Sequence, residues 1–286
     1  MARFGSRQKW LASGAAALLL CAASALAEPP SFANGTPLPN FSSTEYGWLA
    51  VDDELKPMME GPRPIRADPK HPYFGNQSGL QPTFRVSDTS NPILTDWARE
   101  RMRPGNEETI KGKFPYSFQA HCMPGGIPGQ LLGIFEPVYF AQTKDLVLMM
   151  WQRDHVARHI HMNREHSKNV KPSWYGESVG HYEGTWLVVD TIGLSTQAPM
   201  DNWRTPHSDK LHVVERYHLV DDGETLEAII TIEDPIAFTA PLTVYQHWRK
   251  TKLPMIEVSC SENNISYYGD KDNLASVAPT ADKPDF

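Results

Sequence analysis

From Val138 onward, strand-like segments follow one another across short polar turns, with no helical periodicity between them. This succession limits the fold more than any other feature. Hairpin-linked strands must close on themselves or stack on a second sheet to bury their apolar faces. Residues 138–142 and 146–152 flank the polar turn Thr143-Lys144-Asp145, and residues 158–162 and 186–191 read as further strands, the latter ending at Gly193. Residues 211–220 and 225–233 flank Asp221-Asp222-Gly223-Glu224, a strong hairpin signal. Residues 242–251 and 255–259 flank Leu253-Pro254. About seven strands in sequence order predict a mainly β protein, an antiparallel barrel or sandwich, with a lipocalin-like barrel as one form.

The segment before this core has a different texture. Prolines recur from Pro29 to Pro72, out of 24 in the chain, and strand pattern is sparse. Residues 28–112 are therefore expected to form an extended arm wrapped on the core rather than a separate domain. One short helix is expected over residues 91–102, with Thr95 as its cap and Pro104 as its stop. The remaining divisions are a β-rich core over residues 113–268 and a charged, flexible tail over residues 269–286.

Residues 1–27 read as a secretory signal. Arg3, Arg7 and Lys9 precede a short apolar run, and Ala25-Leu26-Ala27 is a cleavage site. Cleavage after Ala27 removes those three positive charges and takes the formal net charge from -7 to -10. The expected mature protein is acidic and periplasmic or secreted, without a membrane span. An acidic balance argues against nucleic-acid binding through a basic surface. Of the 3 cysteines, Cys21 leaves with the signal, and Cys122 and Cys260 are expected to pair in an oxidising compartment.

Chemistry-bearing residues concentrate in the middle of the chain. Eight of the 11 histidines lie between His155 and His218. His159 and His161 share one face of a strand, and His181 and Glu183 repeat that spacing. A barrel with His159, His161, His181, Glu183 and Glu215 turned inward would hold a divalent metal, with His159 and His161 as ligands, or a metal-free acid and base. A polar face turned to water is the plain alternative. No cofactor motif is present; Cys122 to Gly129 is glycine-rich but lacks the Lys-Ser/Thr of a phosphate loop. Gly176-Glu177-Ser178-Val179-Gly180 matches a nucleophile elbow in letters only, since no helix follows it, and reads as a turn entering a strand. His207, near Asp201 and Asp209, is either an oriented base or part of a capped turn. Trp174, Tyr182, Trp186 and Trp203 suit a pocket for an aromatic or lipophilic ligand, or plain core packing.

The run Gly176-x-Ser178-x-Gly180-x-Tyr182-Glu183-Gly184-x-x-Leu187-Val188-Val189-Asp190-Thr191, followed by Pro206-His207-Ser208-x-x-Leu211 and Glu215-Arg216, resembles a family of exported bacterial β-rich proteins without an assigned function. Cys122-x-Pro124-x-Gly126-x-Pro128 and Cys260-x-Glu262-Asn263 extend the resemblance to roughly residues 115–265. The Gly180-x-Tyr182-Glu183-Gly184-x-x-Leu187 segment is also similar, more weakly, to lipocalin-like barrels. The chain departs from the family pattern in having Tyr182 for Trp, Thr185 for Asp, and Asn163-Arg164-Glu165 for Asp-Gly-Arg. Those departures mark residues 159–165 as the expected specificity site.

Two functions follow as expectations. The first is a periplasmic enzyme of lyase, isomerase or hydrolase type working by His/Glu acid–base chemistry on a small aromatic or lipophilic molecule. His207 is its base, and Glu183 or Glu215 its partner. The second is a lipocalin-like carrier that binds a hydrophobic ligand unchanged. An envelope assembly factor is a third option.

Overall fold

A computed structural model describes residues 38–118, 122–152 and 156–258. The expected signal segment, the tail and Cys260 lie outside the described residues. Among these residues the strands are β1 (Gly47–Ala50), β2 (Lys56–Pro57), β3 (Val138–Gln142), β4 (Leu146–Trp151), β5 (Ala157–Met162), β6 (Glu177–Glu183), β7 (Trp186–Ile192), β8 (His212–Val220), β9 (Thr225–Glu233) and β10 (Leu242–Thr251). The sheet runs β1-β3-β4-β5-β6-β7-β8-β9-β10, and β1 pairs back onto β10, so nine strands close a barrel with β2 added outside β10. Closure leaves the barrel without an unpaired edge.

The strand expectations hold with three differences. Residues 255–258 are not a strand, residues 177–183 are one, and the β5–β6 pair is parallel, with Ile160 opposite Ser178. A parallel pair needs a crossover, and residues 163–176 supply it. The N-terminal segment also does more than wrap. Its β1 is the closing stave, with Trp48 opposite both Lys250 and Val138. Phe41, Trp48, Leu55, Ile65, Leu94 and Ala98 share one core with the barrel.

Period-2 alternation fills the lumen. Val147, Met149 and Trp151 of β4, Leu187 and Val189 of β7, Leu226, Ala228, Ile230 and Ile232 of β9, and Val244 and Trp248 of β10 are all buried. At the parallel pair the backbones come close because Gly180 has no side chain; a Cβ there would lie 2.8 Å from Ile160 Cγ2.

The helix α1 (Asp96–Ile110) has the expected cap, with Thr95 Oγ1 accepting from Ala98 N at 3.3 Å, but it starts after residues 91–95 and runs through Pro104 instead of stopping there. An interior proline costs about 3 kcal/mol. The turn beyond it is held by tertiary bonds: Asn106 accepts from Ser87 N (3.1 Å) and donates to Ser87 O (2.8 Å), both buried.

Strand directions place the start of β3, β5, β6, β8 and β10 at the same barrel mouth as the ends of β1, β4, β7 and β9. The helix and the N-terminal segment cover this mouth, tied by Thr95 Oγ1 to Ile236 O (2.6 Å) and by Gln246 Nε2 to Asp52 O (2.7 Å). No helix among the described residues is long and apolar enough to cross a membrane.

Candidate functional site

Among the described residues, the barrel interior carries a charged group built on Arg158 and Glu215, and separately the inward amide of Gln246; it does not carry the expected set of histidines. On β5 the apolar Ile160 and Met162 take the inward positions, so alternation turns His159 and His161 outward and Arg158 inward. Of the five residues expected to point inward, only Glu215 does. It meets Arg158 inside the barrel, where Nη1 donates to Oε1 at 2.9 Å and Nη2 donates to Oε2. Arg158 also donates to Ser178 Oγ (3.0 Å) and Thr191 Oγ1 (2.8 Å), and Tyr217 OH donates to Glu215 Oε1 (2.5 Å). Burial opposes the charge on Arg158, but Glu215 and Tyr217 outweigh it and keep the guanidinium protonated. Burial and the Glu215 charge push the Tyr217 phenol well upward. Ser178, the serine of the elbow-like motif, is therefore 2% exposed and structural. Gly176 is the turn that the plainer reading expects: φ is +61°, and a Cβ would lie 2.4 Å from Ile192 O.

The outer face of the same strands forms a cleft of about 410 Å³ beneath the β5–β6 crossover, lined among others by His159, His161, Arg164, Ser167, Lys171 and Glu177. Glu177 leaves the outer face of β6. Its Oε1 accepts from Ser167 N (2.6 Å) and its Oε2 from Ser167 Oγ (2.6 Å). Those two bonds, with His166 beside them, hold its carboxyl down to about 2 against the opposing effect of burial. His166 sits between two acids, with Nδ1 3.1 Å from Glu177 Oε1 and Nε2 2.9 Å from Asp190 Oδ1. The same Asp190 oxygen faces His212 Nε2 at 3.0 Å, and His212 Nδ1 faces Glu233 Oε2 at 3.2 Å. A chain of alternating carboxylates and imidazoles thus crosses β6, β7, β8 and β9. An imidazole with a carboxylate on each nitrogen is satisfied by its doubly protonated form. The Asp190 hydrogen bond accordingly raises the pKa of His212, and His212 first, then His166, lowers that of Asp190.

His161 has the opposite character. Burial first, then Arg164 and His159 beside it, lower its pKa, while Glu177 opposes them. It is a neutral imidazole at neutral pH, on the wall of a cleft that also carries two cationic side chains, Arg164 and Lys171.

The other expected site residues are elsewhere. His181 and Glu183 bond to each other at 2.9 Å on exposed β6, and Arg216 Nη2 donates to Glu183 at 2.8 Å. His181 stands four residues along the strand from Glu177, roughly 13 Å away. His207 is 1% exposed and bonds Ser208 O through Nδ1 at 2.9 Å. Asp201 caps its own turn, accepting from Trp203 N (2.9 Å) and Thr205 N (3.1 Å), and Ser208 donates to Asp234. The capped-turn reading of that stretch is the one observed. Trp174, Tyr182, Trp186 and Trp203 do not form one pocket. Trp186 stacks on His218 at 3.6 Å, Tyr182 OH accepts from Gln142 Nε2 at 2.9 Å, and Trp203 is buried at the mouth. Among the described residues, no group of three or more His, Cys, Asp or Glu side chains is arranged to hold a metal ion. Cys122 is described and Cys260 is not.

Sequence reasoning missed His166, Glu177, Asp190, His212 and Glu233 as a unit. Four of them occupy outward positions on four neighbouring strands, a signal that strand order alone would have exposed; His166 lies in the crossover and gave none. No protein-family model matches the chain, and no curated protein matches it.

Proposed function

We propose that the protein is an exported, periplasmic enzyme that moves protons on a small molecule in the cleft beneath the β5–β6 crossover, by lyase, isomerase or hydrolase chemistry. One observation carries this reading: His161, favoured neutral, lines a cleft together with Arg164, Lys171 and Glu177, and Glu177 is the end of the carboxylate–imidazole chain that runs through His166, Asp190 and His212 to Glu233. In this reading His161 takes a proton from the substrate or from a water. Arg164 and Lys171 hold the negative charge that develops as the proton leaves. His166 bridges two carboxylates, and Glu177, ionised throughout the neutral range, fixes its orientation. Returning the proton from His161 to another substrate atom completes an isomerisation without a bulky cofactor.

The lining bears on the substrate. Apart from the imidazoles, Tyr175 is its one aromatic ring; Ala157, Val170 and Gly176 are apolar, Glu177 is acidic, and the rest is basic or polar. This favours a small anion over a lipophilic molecule. Arg164 lies within residues 163–165, where the chain departs from the exported proteins it resembles, which supports the placement of specificity there. The carrier reading draws support from the barrel itself. The lumen, however, is filled by Trp48, Trp151, Tyr217 and the Arg158–Glu215 pair, so a carried ligand would have to sit outside it.

Incubation of the purified protein with periplasmic extract, followed by comparison of metabolites by chromatographic retention and mass, tests the proposal. The expected result is one species lost and at least one gained, distinguished by retention or by mass, a change that disappears with His161→Gln. Recovery of an unchanged ligand without conversion would overturn it in favour of a carrier.

A further inference from the structure

The covered mouth of the barrel holds a second cleft, of about 530 Å³, remote in the sequence from the crossover residues. Its walls come from the N-terminal segment (Tyr73, Phe84, Arg85), the segment leading to β3 (Phe118, Phe135) and the β7–β8 connection (Arg204). That volume suits a single small-molecule ligand. The charges in it are not evenly settled. Arg85 Nη2 pairs with Asp53 Oδ2 at 2.5 Å, and its guanidinium lies 4.1 Å from the Tyr73 ring centroid. Its Nε is buried without a hydrogen-bond partner. Glu136, the other acid of the lining, makes its own protein contact. Arg204 donates from Nη2 to Arg85 O (2.8 Å) and reaches Asn106 Oδ1 (3.4 Å); among the described residues no carboxylate pairs with it. Burial, and Arg85 beside it, bring its pKa down to about 10 although Asp201 opposes them. Arg204 also holds a left-handed backbone, at φ 60°, which is costly for a residue with a long side chain.

A buried guanidinium with no carboxylate paired to it among the described residues, next to a partnerless N–H and ringed by aromatic side chains, is a receptor for an anion with a flat apolar body. We propose that the mouth cleft binds a small aromatic carboxylate, its carboxylate on Arg204 and its ring against Tyr73, Phe84 and Phe118. The site stands apart from the acid–base reading of the crossover cleft and does not depend on it.

Calorimetric titration of the full-length protein with 2-naphthoate and with the neutral 2-naphthamide tests the assignment. The acid is expected to bind at least about tenfold more tightly than the amide, a difference of about 1.4 kcal/mol. Arg204→Gln should abolish that preference. Asn76→Asp keeps Arg204 and adds a negative charge to an exposed lining position, so it should weaken the acid several-fold and leave the amide unchanged. Phe135→Ala, at a side chain 76% exposed, should weaken both probes alike. Equal binding of acid and amide, binding of neither at about 1 mM, or a preference untouched by Asn76→Asp would overturn the proposal.

Discussion

Glu215→Leu removes the carboxylate at the centre of the barrel and leaves Arg158, 1% exposed, with two hydroxyl oxygens and no anion. Breaking a buried ion pair from one side costs about 3–5 kcal/mol. Tyr217 OH loses its acceptor as well, worth about 1–3 kcal/mol for a buried hydroxyl. The two overlap, since both act through one carboxylate, so the loss is put at about 4–6 kcal/mol. This is a large part of the roughly 5–15 kcal/mol that stabilises a typical protein. Urea unfolding at neutral pH, followed by tryptophan fluorescence and far-UV circular dichroism, should show the midpoint fall without a matching change in slope. The double variant Arg158→Met with Glu215→Leu removes both charges and should recover to within about 3 kcal/mol of the wild type, because packed apolar side chains replace a buried pair with little net cost and the remaining loss is the Tyr217 hydroxyl without its acceptor. A single-variant loss below about 1 kcal/mol, or a double variant as unstable as the single, would refute the claim that an ion pair organises this lumen.

Thr95→Ala should cost about 1 kcal/mol through loss of the α1 cap, and should leave ligand binding in the crossover cleft unchanged. Gly176→Ala should cost about 2–3 kcal/mol, from a left-handed backbone and a Cβ forced against Ile192 O, read by thermal melting. Glu177 is depressed to about 2, so its contribution is present above the ordinary glutamate range and is lost as pH falls from about 4.5 toward 2. The melting difference between wild type and Glu177→Gln should shrink across that window. His212 is shifted the other way. Its contribution is complete below the ordinary histidine value and is lost as pH rises through the raised one. The His212→Gln difference should therefore fade from about pH 6.5 upward, measured by the same melts.

The β-rich core could be read from the sequence because it rests on local signals: period-2 alternation, Thr143-Lys144-Asp145, and Asp221-Asp222-Gly223-Glu224. Long-range pairing was not legible. Nothing local in Gly47 to Ala50 says that the segment closes a barrel between β3 and β10, and nothing in residues 163–176 says that they span a parallel pair. Pro104 misled because local helix-breaking was outweighed by Asn106 reaching Ser87, nineteen residues away. The His159 and His161 spacing correctly put both on one face of a strand. Which face turned inward depended on Ile160, Met162 and a glutamate on β8, and spacing carries no sign. The acid–base chain is invisible for the same reason. Glu177, Asp190, His212 and Glu233 are ordinary outward residues until strand order makes them neighbours.

The central claim is that His161 works as a base in the crossover cleft. The direct measurement is kcat/KM of wild type and His161→Gln against pH, on the compound whose conversion the extract comparison identifies. General acid–base catalysis contributes about 10²–10⁴-fold. The account predicts a loss of at least about 100-fold in the variant, and a wild-type profile that rises through a pKa below the ordinary histidine value. A His161→Gln variant within about threefold of wild type would contradict it, since a loss that small lies far beneath what proton transfer contributes.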